Sequence, residues 1–171
     1  LITYLYTEDE EQWKLYQEEL KVSQGDGIAR ILLLSNGDID SIKKALRDGR
    51  NHEKDLDDMI WLFRNFKSVS FLAKAINEWE QADNLVNQLA EIGKSIDEKI
   101  KTASLNEEDQ KKTLNLISVI SEKLTINERK FSDTLGEGTR AIKDQLIFTN
   151  IIFILIIYWI YLAMHARDEY S

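Results

Sequence analysis

Residues 72–100 read LAKAINEWEQADNLVNQLAEIGKSIDEKI, and this stretch decides the fold. Leu72, Ile76, Trp79, Ala82, Val86, Leu89, Gly93, Ile96 and Ile100 recur at three- and four-residue steps. That spacing draws one apolar stripe along a helix of about 3.6 residues per turn, with polar residues on the remaining surface. A stripe this long cannot be buried by one helix alone, so it predicts antiparallel helical neighbours. The rest of the chain agrees. It has 171 residues, no proline and only 7 glycines, which removes the main helix breakers and leaves few residues for tight hairpins. The prediction is an almost entirely helical protein with one domain and a core of its own.

Punctuation divides the body into arms. Ser35-Asn36-Gly37-Asp38 is a turn cluster in which Asp38 can cap the next helix, and Gly49-Arg50-Asn51 interrupts that helix. Lys67-Ser68-Val69-Ser70 reads as a turn, and Ala103-Ser104-Leu105-Asn106 precedes the acidic helix start Glu107-Glu108-Asp109. Thr125-Ile126-Asn127-Glu128 fits a capping box, which predicts a break or kink there, and Gly136 and Gly138 mark a second soft point. Four arms result, over residues 7–34, 38–66, 70–103 and 106–145, each on the order of 45–60 Å long at helical rise. The predicted fold is all-α: an up-down-up-down antiparallel four-helix bundle that continues into a C-terminal transmembrane helix. In that arrangement both ends of the bundle meet the membrane side by side.

The membrane segment is Leu146 to Met164, LIFTNIIFILIIYWIYLAM, with no charged residue. About 19 residues of helix cross roughly 28 Å of hydrocarbon, and a core helix of this length rarely lacks charge altogether. Tyr158, Trp159 and Tyr161 stand near its far end, where an aromatic belt belongs. Thr149 and Asn150 are its clearly polar residues; Asn150 is a candidate for a hydrogen bond between paired spans, although both residues also suit the headgroup level. Residues 165–171, HARDEYS, read as a cytoplasmic stub. Residues 1–6, LITYLY, read as the outer end of a first transmembrane helix, and residues 7–145 as the extracytoplasmic domain between the spans. Charge does not orient the span, because Arg140 and Lys143 on one side balance His165 and Arg167 on the other.

Composition excludes several functions. A net charge of −8 leaves no basic face for nucleic acid. No cysteine is present, so thiol redox chemistry, thiolate metal sites and cysteine nucleophiles are excluded. No phosphate-binding glycine loop, nucleophile elbow, paired metal-ligating histidines or acid–base constellation is recognisable, so neither catalysis nor a cofactor is expected in this segment. His52 has carboxylates nearby in Asn51-His52-Glu53-Lys54-Asp55, yet a solvated loop histidine explains it more simply than a metal or a pH sensor. The acidic run Glu8-Asp9-Glu10-Glu11 reads as helix capping.

The candidate site lies where the second arm turns into the third. Trp61, Arg64, Phe66, Lys67, Phe71 and Trp79 concentrate aromatic and cationic groups there. Two roles fit: anchoring at a lipid interface, with Arg64 and Lys67 on phosphates, or lining a pocket for an anionic or aromatic signal molecule. The anchoring and packing role is the plainer one.

Two stretches carry a resemblance. MIWLFRNFKSVSFLAKAINEWEQAD (Met59 to Asp83) and FSDTLGEGTRAIKD (Phe131 to Asp144), leading into the final span, resemble the N-terminal sensor region of two-span bacterial signalling receptors. The outputs of such receptors are sensor histidine kinases or cyclic-di-GMP cyclases and phosphodiesterases. The resemblance implies a periplasmic domain in the bacterial inner membrane, working as a homodimer on an unknown small-molecule or periplasmic protein signal. Its catalytic output would lie beyond this segment. It carries over no ligand residues, and the end of the chain shows none of the proline-containing linker that many such receptors have. From a different class, a structural or scaffold subunit of an envelope complex also fits the pattern.

Overall fold

The computed structural model of the chain describes residues 1–168, with side-chain environments through residue 160. Among the described residues the chain forms α1 (Ile2–Thr7), α2 (Glu10–Leu34), α3 (Ile39–Asp48), a 3₁₀ turn (Glu53–Asp55), α4 (Leu56–Phe66), α5 (Ser70–Lys101) and α6 (Glu107–Asp168). The protein is all-α, and its long C-terminal helix packs against α5. Two compact units divide it, residues 1–134 and 135–171.

The predicted helix boundaries fall where local chemistry puts them. Asp9 caps α2 by accepting from the Glu11 amide at 2.9 Å, and Asp38 caps α3 by accepting from the Ser41 amide at 2.8 Å. Glu8, Asn36, Arg50 and Ala103 take positive φ, so the turns after α1, α2, α3 and α5 each use a left-handed residue that is not glycine. His52 accepts from the Lys54 amide at 3.2 Å and opens the 3₁₀ turn, which makes it part of a connection. Thr125 does not break α6. Its hydroxyl donates to the Ser121 carbonyl at 3.0 Å, and the helix runs on through Gly136 and Gly138.

Within the first unit the path differs from the predicted succession of four rods. The second arm is a helical hairpin: Lys43 pairs with Asp57 at 2.7 Å, Arg47 pairs with Glu53 at 2.7 Å, and Arg64 donates to the Gly37 carbonyl at 2.9 Å. These partners run in opposite order along α3 and α4. The hairpin therefore returns the chain to the end it left, beside the C-terminus of α2. α5 then runs antiparallel to α2, with Arg30 against Asp83 and Tyr16 donating to the Leu89 carbonyl at 2.7 Å. α6 runs antiparallel to α5, through Lys99–Asp109 at 3.0 Å and Asn127–Glu78 at 2.8 Å. The chain leaves α3 through Gly49 and the left-handed Arg50, and the ion pairs across the hairpin, with buried Leu46 and Leu56, hold the arm folded on itself.

The ends of the first unit move apart as a consequence. Tyr4 and Leu5 are buried, at 2% and 0% exposure, in a cluster with Ile96 and Ile117. Tyr4 also stacks on Trp13 at 5.0 Å and donates to Asp97 at 2.8 Å. Residues 1–6, expected as the outer end of a span, supply core side chains here. Phe131, by contrast, lies with Met59 and Trp79 at the hairpin end. The expected side-by-side ends are thus corrected: the first residues and the exit of α6 from this unit occupy opposite ends of it. At the hairpin end Leu33, Ile42, Leu46 and Leu56 are fully buried.

The second unit is helical through residue 168. Its side chains from Leu146 to Ile160 are exposed throughout, with Ile154 at 65% and Trp159 at 75%. This helix is long and apolar enough to cross a membrane. Tyr161 and the side chains of residues 161–168 fall outside the described surroundings, and residues 169–171 of the expected stub lie outside the described residues.

Candidate functional site

The site begins in the middle of α2, where Gly25-Asp26-Gly27 places two residues without side chains around a carboxylate. Each glycine makes room for a different neighbour. A Cβ on Gly25 would stand 2.7 Å from the Gly49 amide nitrogen, so the end of α3 can close on α2 only over glycine. A Cβ on Gly27 would meet the Asp83 carboxylate at 3.1 Å. Asp26 is thereby held between the α3–α4 connection on one side and α5 on the other.

Its partners are polar but not cationic. Asn51 donates to Asp26 Oδ1 at 2.7 Å and is itself fixed by donating to the Leu46 carbonyl at 3.0 Å. Arg30, 7% exposed, is committed elsewhere: its Nε donates to Asp83 Oδ2 at 2.7 Å, with Glu80 at 3.9 Å. Burial pushes the Asp26 carboxyl above its ordinary range, the Asn51 hydrogen bond pulls it down, and the charge on Asp83 adds to the rise. Asp83 is also raised, by burial, although Arg30 opposes the shift.

Beside Asp26 opens a cavity of about 390 Å³, lined in addition by Asn51, Met59, Trp79, Ala82, Asn127, Glu128 and Phe131. Helices α2, α4, α5 and α6 all contribute to it. Phe63, itself buried, meets the Trp79 ring edge-on at 5.8 Å and fixes its orientation. Asn127 is 6% exposed and donates to Glu78 at 2.8 Å, which sets the side of α6 that faces the cavity. Among the described residues no three histidine, aspartate or glutamate side chains come together as metal ligands.

The sequence candidates are dispersed by this geometry. Trp79 lines the cavity. Trp61, 59% exposed, and Phe66, 38% exposed, form an outward edge-to-face pair at 5.2 Å. Arg64 donates to the Gly37 carbonyl at 2.9 Å, while Lys67 donates to the Leu34 carbonyl and to Asn36 Oδ1, both at 3.2 Å. Those two cations thus stand at the carbonyl end of α2, where the helix dipole favours positive charge. Phe71 is half-buried at the start of α5, and Asn150 is exposed on the apolar helix of the second unit. Asp26, Asn51, Glu128 and Phe131 were not anticipated, and the glycine-flanked aspartate within a helical stretch was the available signal. Comparison with protein-family models, curated proteins and solved structures finds no match to this chain.

Proposed function

We propose that this chain is the extracytoplasmic input and transmembrane module of a bacterial signal-transduction receptor, anchored in the inner membrane with its first unit in the periplasm. The observation that carries the reading is that one helix, α6, supplies both a wall of the cavity, through Asn127, Glu128 and Phe131, and the exposed charge-free stretch from Leu146. Occupancy of the cavity would bias the position of α6, and α6 would carry that bias to a cytoplasmic output, a histidine kinase or a cyclic-di-GMP enzyme. In this reading the α3–α4 hairpin takes the place of the fourth rod of the four-helix bundle. Exposed Ile28 and Ile31 on α2, and Leu116 and Ile126 on α6, support a contact with a second copy of the chain. Asn150 would then bond across the paired spans.

The same exposed apolar residues suit an envelope scaffold that binds a different protein, so the two readings need a test. The gene sequence downstream of Ser171 separates them. A phosphoacceptor-histidine helix or a cyclic-di-GMP domain in frame supports the receptor, and a stop codon or a non-signalling domain moves the assignment to the scaffold. Periplasmic and cytoplasmic reporter fusions at Thr134 and Ser171 test the orientation independently.

A further inference from the structure

We infer that the cavity beside Asp26 is a binding site for a small organic cation, an alkyl- or arylammonium compound. Three independent features meet there. The first is charge: Asp26 holds only an amide donor, Asn51, and no cationic side chain lies within ion-pair distance of it among the described residues. The cation that could have served it, Arg30, is tied to Asp83. Glu128 adds a second carboxylate to the lining. A half-buried carboxylate without a counter-ion is costly to maintain, and an ammonium group entering the cavity would supply the missing charge and hydrogen bonds.

The second feature is the aromatic wall. Trp79 and Phe131 line the same space, and their faces attract an ammonium or its methyl groups. Trp79 is held by Phe63, so this surface is organised before any ligand arrives. The third is size: about 390 Å³ falls within the range of small-molecule sites and far exceeds the need of a bare metal ion, for which the described residues also offer no ligand cluster. An anionic signal is disfavoured by the same two carboxylates. The inference deepens the receptor reading by naming its ligand class, but binding itself stands on the cavity alone.

The test uses the whole chain in detergent micelles, with titration calorimetry against choline and phenylethylammonium. The neutral carbon isostere of choline, 3,3-dimethylbutanol, is the control. Saturable binding of one or both cations is expected, with the isostere binding at least about tenfold more weakly. D26N should retain native helical circular dichroism and lose at least about tenfold in affinity, since asparagine keeps the shape and removes the charge. Trp79→Leu should weaken binding as well. No heat from either cation with a natively helical chain, equal binding of the isostere, or unchanged affinity in D26N would each overturn the inference. None of these results would touch the receptor reading, which the downstream gene sequence decides by itself.

Discussion

Tyr4→Phe is the most informative single change, because it asks whether residues 1–6 belong to the core or to a lipid-facing helix. The phenol is 2% exposed and donates to Asp97 Oδ1 at 2.8 Å, while Lys101 donates to Oδ2 of the same carboxylate at 2.7 Å. A hydrogen bond to an ionised partner contributes about 1.5–3 kcal/mol, and Asp97 keeps its second donor in the variant, so a loss of about 2 kcal/mol is expected. Phenylalanine retains the ring and its stacking on Trp13, which keeps the change confined to the hydroxyl. The pH dependence carries a sign. Burial pushes the Asp97 carboxyl up, but the bonds from Lys101 and Tyr4 outweigh it and hold it below its ordinary 3.8. A depressed carboxylate contributes stability that is present above 3.8 and is lost as pH falls through the folded-state value. The difference between wild type and variant should therefore be full at neutral pH and close in acid. Urea unfolding followed by circular dichroism, in micelles at a series of pH values, reads it directly. A difference below about 0.5 kcal/mol at neutral pH, with native helicity intact, would refute the burial of Tyr4 against Asp97 and restore the lipid-facing reading of LITYLY.

Gly25→Ala should lower stability by about 2 kcal/mol or more in the same assay, although alanine is the better helix former, because the new Cβ would meet the α3 backbone at 2.7 Å. Leu46→Ala, at a fully buried position of the hairpin, should cost about 2–5 kcal/mol. Asp26 and Asp83 have raised carboxyls, so the stability they contribute is present below 3.8 and is lost as pH rises through their folded-state values. Asp26→Asn should accordingly flatten the decline in stability between acid and neutral pH, and an unchanged pH profile would count against burial of that carboxylate. In the apolar helix, Ile154→Arg adds about 3 kcal/mol to the cost of insertion and should shift the protein from the carbonate-resistant membrane fraction, whereas Ile154→Leu should not.

Much of the helical layout was legible because its signals are local. The stripe from Leu72 to Ile100 depends on the 3.6-residue period of one helix, and Leu72, Ile76, Gly93 and Ile96 are indeed buried on α5. The turn at Ser35–Asp38 depends on a capping aspartate and a left-handed Asn36, both set by neighbouring backbone. The apolar stretch from Leu146 announces itself by lacking charge over its whole length. α2 gave no comparable signal. Its buried face is made by Gly25, Gly27, Ala29, Arg30 and Leu33, the first three of them small residues that pack by close approach, while Ile28 and Ile31 are exposed. Hydrophobic periodicity cannot report a seam whose packing comes from missing side chains.

Sequence alone thus determined the helical class, the turns near Ser35, Gly49, Lys67 and Ala103 and the charge-free helix, all consequences of interactions between residues a few positions apart. Tertiary structure decided the direction of each helix after its turn, because Gly49-Arg50-Asn51 permits either a kinked rod or a reversal. The reversal is supported by Lys43–Asp57, Arg47–Glu53 and the burial of Leu46 and Leu56, partners that no periodicity brings together. It likewise decided the site. Asp26, Asn51, Trp79 and Phe131 come from separate parts of the chain and meet only because the hairpin closes on the glycines of α2 and leaves the cavity between α4, α5 and α6.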